Sequence, residues 1–408
     1  MVDVRDGHLC VAGRRVVDIV DAHGEPAYIY DAETIDRQYA QLRTALPDDV
    51  QIFYSVKANP NAGILSHMAA LGDGAEVSSG GELRKALEAG FAPQDIIFVG
   101  PGKSEAEILA AVREGIYAIV AESVPEIRLI DDVAADVGRR APVALRINPE
   151  RPMRGARLTM AGKPSQFGID EADIGSAFEE ASSCQHVEIM GIHAYLGTRI
   201  LDAEVVAQNT RYIAEMASRA SQAYGFELAM VDFGGGFGVP YFENEEEFDI
   251  DALQRELAGL ADECLGDAAH RARLMVESGR YLVADCGMYV ARVRYVKQSQ
   301  GKSFVILSGG TNHHLAAAAI GGFVRRNFPV AVANRMDEPN TLTADLCGPL
   351  CTPTDILARN VEIPTVEPGD LVAVLKSGAY GFSASPLEFL SHERPREVLL
   401  RNGQSQSV

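Results

Sequence analysis

The chain has no tryptophan, no C-x-x-C pair and no apolar run long enough to cross a membrane. A membrane helix needs about 20 consecutive apolar residues, and no stretch approaches that length. The N-terminus lacks the basic and then apolar order of a signal peptide. The six cysteines are scattered, which is typical of reduced thiols and provides no disulfide framework. We therefore expect a cytoplasmic protein without a membrane partner.

Positive charge is also scarce, because 37 Lys and Arg residues stand against 57 Asp and Glu residues, for a net charge of -20. Nucleic acids and anionic membranes bind basic surfaces, so this balance argues against both as partners. The pair His313 and His314 has no cysteine or carboxylate spacing beside it that would indicate a metal ligand set. We therefore expect no metal.

The first 280 residues show a repeating pattern of short apolar runs and amphipathic stretches. Eight such runs alternating with helices over roughly 250 residues predict a (β/α)8 barrel of the TIM type. A doubly wound open sheet gives the same alternation and is the alternative. The runs lie near residues 51–57, 74–78, 96–100, 117–121, 142–147, 188–195, 228–233 and 273–277. The amphipathic stretches are 33–46, 61–71, 81–90, 104–114, 124–138, 170–183, 202–224 and 249–265.

After residue 280 the pattern changes to short β-type runs separated by Gly and Pro turns, which predicts a β-rich second domain. A chain of 408 residues exceeds what one core usually needs, so two domains are expected. We place the barrel at 28–280 and the β-rich domain at 1–27 and 281–408. The first 25 residues are predicted to form short strands, and the polar tail 404–408 to be disordered.

Residues with unusual chemistry fall repeatedly at the predicted carboxyl ends of the barrel strands, where the active sites of such barrels lie. Lys57 ends an apolar run, although burial disfavours an ammonium. A lysine in such a place is a nucleophile for aldehydes and the usual anchor of pyridoxal phosphate. A snorkelling lysine is the alternative. The residues at these strand ends are Lys57, Glu76, Tyr195, Thr198, Gly234, Gly235, Gly236, Glu277 and Arg280.

Two of these groups have a specific chemical use. Consecutive glycines at 234–236 let backbone N–H groups approach a phosphate. Glu277 and Arg280 place a carboxylate and a guanidinium three residues apart. A carboxylate can keep a pyridine nitrogen protonated, and an arginine can bind a phosphate or carboxylate through two hydrogen bonds. The alternative for this pair is a surface salt bridge of little energetic value.

Taken together, these motifs resemble the fold-type III pyridoxal phosphate decarboxylases, which include the diaminopimelate and ornithine decarboxylases. The resemblance implies a barrel with a β-rich domain, pyridoxal 5'-phosphate as cofactor, and a homodimer whose active sites are shared between subunits. The matching segments are Tyr54–Asn59, Gly80–Leu83, Gly234–Gly236, Glu277–Arg280, Cys351 with Asp355, and Gly378–Gly381.

The resemblance also implies a role for each matching residue. Lys57 is expected to form the Schiff base, and Glu277 to face the pyridine nitrogen. Cys351 is the expected general acid, and it would enter with Tyr380 from the partner subunit. Substrate contacts are expected from Arg280, Thr352 and Tyr380. Residues expected around the phosphate and the rest of the cofactor are Gly235, Gly236, Thr198, Arg280, Tyr380, Glu76 and Arg157.

Departures from the family pattern concern the ring-stacking position and the far end of the substrate pocket. Tyr195 stands where the family has a stacking histidine, and it can still stack. Thr352 replaces the acid that reads the distal ammonium of the substrate. Ala316 and Ile320 stand where diaminopimelate decarboxylases have an arginine and a tyrosine. The far end of this pocket is therefore expected to be smaller and less charged.

With these departures, the sequence resembles the specialised-metabolism branch of the family, which includes the glutamyl carrier-protein decarboxylase of butirosin biosynthesis. The predicted reaction is removal of the α-carboxylate from an amino acid, with a substrate tethered to an acyl carrier protein. A decarboxylase of free diaminopimelate or another diamino acid is the main alternative. An alanine-racemase-like activity and a non-catalytic cofactor carrier are the others.

Overall fold

A computed structural model of the chain describes residues 2–150, 158–159, 164–318 and 326–408. Eight parallel strands form a closed ring, because the eighth strand pairs with the first along Leu274–Ser278 and Val50–Tyr54. This closure confirms the predicted barrel and excludes the open sheet. Barrel strands 1 to 8 are Val50–Ser55, Gly74–Val77, Ile96–Phe98, Ala118–Ala121, Ala141–Asn148, Val187–His193, Met230–Asp232 and Arg273–Ser278.

The barrel strands coincide with the apolar runs of the sequence. The reason is that both faces of each strand are buried. Barrel strand 4 has the sequence Ala-Ile-Val-Ala, and all four residues are buried. Strands covered on both faces have continuous apolar sequences instead of alternating ones. One buried cluster takes its side chains from six of the barrel strands and the adjoining turns, namely Phe53, Ile97, Val99, Ala118, Val120, Ala144, Met230 and Met275.

Helices connect the barrel strands, and their ends follow local sequence signals. Ser104 and Glu107 form a reciprocal capping box at one helix start. The predicted helix 249–265 is two helices, because Gly259 interrupts it with a φ of +72°. The helices are Ala32–Ala45, Ala62–Leu71, Gly80–Ala89, Glu105–Glu114, Val124–Asp136, Ile174–Ser183, Ala203–Tyr224, Ile250–Leu257 and Leu260–Leu265.

A second sheet contains the β-type runs that follow residue 280. Its strand Ala27–Asp31 pairs antiparallel with Gly287–Ser299 and parallel with Arg396–Arg401. This sheet confirms the predicted β-rich part. Its strands are Ala27–Asp31, Gly287–Ser299, Lys302–Leu307, Val330–Val332, Leu342–Cys347, Ile356–Ile363, Leu371–Val374, Arg396–Arg401 and Gln404–Ser407.

The predictions for the two ends of the chain had different outcomes. The first 25 residues form the strands Val2–Arg5, His8–Val11 and Arg14–Arg15, which confirms the predicted short strands, but they also form an unforeseen helix, Val16–His23. The polar tail is not disordered, because it pairs with Arg396–Arg401 as a hairpin. Asn402 and Gly403 make its turn, both with positive φ, and Asn-Gly is the strongest short-range hairpin signal.

The chain divides into two compact units. One contains Met1–Tyr39, Pro240–Glu245 and Arg280–Val408, and the other contains Ala40–Val239 and Glu246–Gly279. The barrel belongs to the second of these, which we call the barrel unit, and the second sheet to the first, which we call the β unit. The limits at residues 28 and 280 stay a prediction. None of the helices in the described ranges has the length and apolar character that crossing a membrane requires.

Candidate active site

Lys57 lies directly after barrel strand 1 and is paired with a buried carboxylate. The strand ends at Ser55, and Lys57 belongs to the 3-10 turn Val56–Ala58 instead of the predicted strand. Its Nζ donates to Glu76 Oε1 at 2.9 Å and to Oε2 at 2.7 Å. The Glu76 side chain is fully buried, whereas that of Lys57 is 39% exposed. The amine is therefore held by a carboxylate and remains accessible to a small molecule.

Glu277 lies near the end of barrel strand 8 and forms the centre of a second buried polar group. His193 Nε2 lies 3.0 Å from Glu277 Oε1, and both side chains are almost fully buried. Asp232, at the end of strand 7, is also buried and accepts a hydrogen bond from the Gly234 N–H at 2.8 Å. Ligand atoms of His193, Asp232 and Glu277 lie within 4.8 Å of one another.

The two carboxyl groups of this cluster have opposite ionisation tendencies. Burial on its own would raise the pKa of Glu277, but the positive charges of His193, Lys57 and Arg146 and the hydrogen bond from His193 lower it to about 2. Burial raises the pKa of Asp232 well above its ordinary range, and the charge of Glu277 raises it further. The folded chain therefore favours the ionised form of Glu277 and shifts Asp232 toward its protonated form.

Arg146 and Glu122 form a buried ion pair at the ends of barrel strands 5 and 4, which sequence reasoning missed. Arg146 Nη1 donates to Glu122 Oε1 at 2.9 Å, and both side chains are largely buried. The guanidinium also lies 4.8 Å from the centre of the Phe167 ring. The available signal was an arginine inside the apolar run Val143–Ile147, because an isolated charge in a fully buried strand needs a partner.

The glycine loop after barrel strand 7 packs too closely for any side chain. A Cβ added to Gly235 would lie 1.8 Å from the carbonyl oxygen of Glu277, and one on Gly236 would lie 2.2 Å from that of Gly197. Gly236 also has a φ of +101°, which favours glycine. This packing brings the loop against the strand Gly197–Thr198, and Gly234 next to Tyr195. Four predicted cofactor residues therefore meet here, namely Tyr195, Thr198, Gly235 and Gly236.

In the β unit, Arg280 lies among aromatic side chains. Its guanidinium carbon is 4.6 Å from the centre of the Tyr380 ring, and Nη1 donates to the Tyr241 hydroxyl at 3.0 Å. Stacking on an aromatic face restricts the guanidinium orientation. The resemblance implied that Tyr380 enters from a partner subunit, but within one chain its ring already contacts Arg280. Tyr241 was not foreseen.

The turn that carries Cys351 has an outward surface without charge. Cys351 is exposed, and the hydroxyls of Thr352 and Thr354 lie 3.0 Å apart. Asp355 is the one carboxylate of this turn, but it is buried and accepts from the N–H groups of Thr311 at 2.7 Å and Leu350 at 2.8 Å. Its charge is therefore used inside the β unit.

The remaining predicted positions are Ala316, Arg157 and Ile320. Ala316 starts the 3-10 turn Ala316–Ala318. Arg157 and Ile320 lie outside the described residues.

Comparison with known proteins identifies the family. The chain matches the family model for the pyridoxal-dependent decarboxylase, pyridoxal binding domain, over residues 32–284. The chain belongs to the pyridoxal-dependent decarboxylases. This decarboxylase is 39% identical to the L-glutamyl-(BtrI acyl-carrier protein) decarboxylase of Niallia circulans, over 94% of this chain and 90% of that protein.

Diaminopimelate decarboxylases are also among its relatives. The decarboxylase is 32% identical to the enzyme of Aquifex aeolicus over 98% of this chain and 93% of that protein. It matches the crystal structure of the enzyme from M. jannaschii with a TM-score of 0.90 at 27% identity, over 100% of this chain and 94% of that one. These matches extend across both units.

Pyridoxal 5'-phosphate is the cofactor of the decarboxylase, and the residues of the barrel unit fit it. Lys57 offers an accessible amine for the aldehyde, and Glu277 an ionised buried carboxylate for the ring nitrogen. The consecutive glycines at 234–236 let main-chain N–H groups approach a phosphate. When bound, the cofactor supplies an electron sink for the electron pair that decarboxylation leaves on the substrate.

Proposed function

We propose that this decarboxylase acts on an α-amino acid whose side-chain end is tethered to an acyl carrier protein, as in a glutamyl thioester. The observation that carries this proposal is the turn at Cys351–Asp355, whose one carboxylate is buried and bonded inside the β unit. Recognition of a free distal ammonium requires a desolvated acid, because charge-assisted hydrogen bonds provide that selectivity. Thr352 is bonded to Thr354 and Asp355 is bonded inside the β unit, so this turn offers no such acid.

The relative from Niallia circulans supports the same substrate class, since that protein is a decarboxylase of a carrier-bound glutamyl group. Ala316 adds to this, because a short side chain stands where diaminopimelate decarboxylases have an arginine. A thioester at the far end carries no charge and needs no ion-pair partner. The likeness to diaminopimelate decarboxylases favours the alternative, a free diamino-acid substrate.

We assign the cofactor contacts to the residues that the structure describes. Glu277 binds the ring nitrogen and Tyr195 stacks on the ring. Arg280 binds the phosphate or the substrate carboxylate, with its orientation restricted by Tyr380 of the same chain. In the barrel unit, we assign the phosphate to the loop residues Gly235, Gly236 and Thr198.

Protons are moved by the side chains that flank the reacting atoms. Lys57 must lose a proton before its amine can act as a nucleophile, and Glu76, which accepts two hydrogen bonds from it at 2.9 and 2.7 Å, is placed to take that proton. Cys351 delivers a proton to the substrate carbon after carbon dioxide leaves. Because Cys351 is exposed on the single chain, we propose that it serves the site of a second subunit in a homodimer.

Carbon dioxide release from purified, cofactor-loaded enzyme tests the substrate. The panel is free diaminopimelate, lysine, ornithine and glutamate against glutamate joined to a carrier protein. We expect turnover only on the tethered substrate, since the turn at Cys351–Asp355 offers no acid to bind the distal ammonium of a free diamino acid. Thr352→Glu should then raise activity on lysine or ornithine, with Thr354→Glu in the same turn as the matched control. Efficient wild-type turnover of free diaminopimelate would refute the proposal.

Replacing Cys351 with alanine is expected to lower turnover by about 100-fold, within the range for loss of a general acid. Cofactor binding should be unchanged, because Cys351 is assigned to protonation alone. The measurements are kcat and the position of solvent deuterium in the product. Cys264→Ala, which removes a part-buried thiol in the barrel unit, is the control. Wild-type kcat and product labelling in the Cys351→Ala enzyme would contradict the role.

A further inference from the structure

His193 is the polar side chain that contacts Glu277. Their Nε2 and Oε1 atoms are 3.0 Å apart, and the two side chains are 1% and 2% exposed. Among the described residues, His193 is the one hydrogen-bond partner of the Glu277 carboxylate. This contact uses Oε1 and leaves Oε2 for a ligand.

Asp232 is a second buried carboxyl group next to the contact between His193 and Glu277. It lies between His193 and strand 8 in the sheet, because Asp232 pairs in register with His193 on one side and with Met275 on the other. Its Oδ1 accepts from the Gly234 N–H, but its Oδ2 is buried without a hydrogen-bond partner among the described residues. Carboxyl oxygens of Asp232 and Glu277 lie within 4.8 Å of each other. Two buried carboxyl groups at this distance cannot both be ionised at low cost.

The other charged groups around Glu277 are each engaged with a different carboxylate. Lys57 is bonded to Glu76, and Arg146 to Glu122. Both cations lower the pKa of Glu277 from a distance, but His193 is the group that touches it.

We propose that His193 is a positioning residue that keeps Glu277 ionised and turned toward the cofactor ring nitrogen, while Asp232 holds the proton that Glu277 does not. The inference rests on the assignment of Glu277 to the ring nitrogen. His193 does not contact the reacting atoms in this arrangement. It acts through Glu277, by occupying one oxygen of the carboxylate and supplying the donor that a buried anion needs.

The experiment compares His193→Leu, His193→Gln and His193→Asn holoenzymes without substrate. The readouts are the pH titration of the visible absorbance of the bound cofactor and the cofactor dissociation constant. For His193→Leu we expect the dissociation constant to rise about 10- to 100-fold, the range for losing a hydrogen bond to a charged group. The absorbance midpoint should move by about 1 pH unit or more.

The Gln and Asn variants test whether a hydrogen-bond donor at the position of Nε2 is required, or only a side chain of sufficient volume. A glutamine amide nitrogen can take the place of Nε2, whereas that of asparagine is too short, so His193→Gln should be closer to wild type than His193→Asn. Asp232→Asn should partly restore the His193→Leu enzyme, since it removes the competing acid and can keep the bond to Gly234. If His193→Leu does not fold, the Gln and Asn pair decides by the same two readouts.

Two different failures are distinguishable. If all three His193 variants titrate and bind cofactor as the wild type does, while Glu277→Gln changes both readouts, the positioning role is refuted and the role of Glu277 stands. If Glu277→Gln also leaves both readouts unchanged, the assignment of Glu277 fails and the inference fails with it. The substrate proposal is unaffected by either result, because no substrate is present.

Discussion

The Lys57→Ala variant is expected to bind pyridoxal 5'-phosphate without bonding to it covalently. Its visible absorbance should be that of the free aldehyde, and kcat should fall by at least about 1,000-fold, as for other residues that act as covalent catalysts. The physical reason is that Lys57 is the amine that lies after barrel strand 1 and is accessible while held by a buried carboxylate. Absorbance spectra and borohydride reduction followed by peptide mapping measure the loss.

Lys57→Arg is the matched control for that experiment. Arginine keeps a cation beside Glu76, so the buried carboxylate stays paired, but a guanidinium stays protonated and does not condense with the aldehyde. Both variants should therefore lose the covalent bond, and Lys57→Arg should retain more of the wild-type thermal stability. A reducible covalent bond to the cofactor in the Lys57→Ala protein would show that another amine is the anchor.

The Glu277→Gln variant is expected to show the second largest loss, a fall in kcat on the order of 100-fold or more, because it removes the charge that we propose lies opposite the ring nitrogen. Glutamine keeps the volume and the hydrogen bond to His193, so the loss reports the charge. Glu277→Asp keeps the charge but withdraws it from the ring, and should be intermediate. Unchanged kcat in Glu277→Gln would remove Glu277 from the mechanism.

The ionisation of Glu277 also sets a pH dependence of stability. Its pKa is about 2 in the folded chain, below the ordinary value of 4.5, so the folded state favours the carboxylate. This contribution to the free energy of unfolding is fully present above pH 4.5 and is lost as the pH falls toward 2. In Glu277→Gln the urea midpoint should therefore depend less on pH between about 5 and 2.

The barrel was predictable from sequence because its strands are buried on both faces, which gives continuous apolar runs such as Ala118–Ala121. The positions of Lys57 and Glu277 near the ends of barrel strands 1 and 8 were predictable, because each is a charge at the end of such a run. The break at Gly259 and the helix Val16–His23 were missed, since an amphipathic pattern continues across one and a strand-like composition covers the other. The hairpin at Asn402-Gly403 had a local signal that a polar composition obscured.

The contacts inside the site were less accessible to sequence reasoning. His193, Asp232 and Glu277 come from three strands that are distant along the chain, and their mutual contact depends on barrel register. The Arg146–Glu122 pair has the same origin. Stacking of Tyr380 on Arg280 in one chain likewise depends on how the β unit folds. Family resemblance assigned roles to single residues, whereas the structure shows which of them constrain one another.

The close packing of Gly235 has a consequence for the evolution of this family. A methyl group there would overlap the main chain at Glu277, so selection for a folded barrel alone retains the glycine. A descendant that lost Lys57 would be under the same constraint. A glycine at this position in a distant homologue is therefore no indicator of enzymatic activity, and residues free of that steric constraint, such as Lys57, are the informative markers of it.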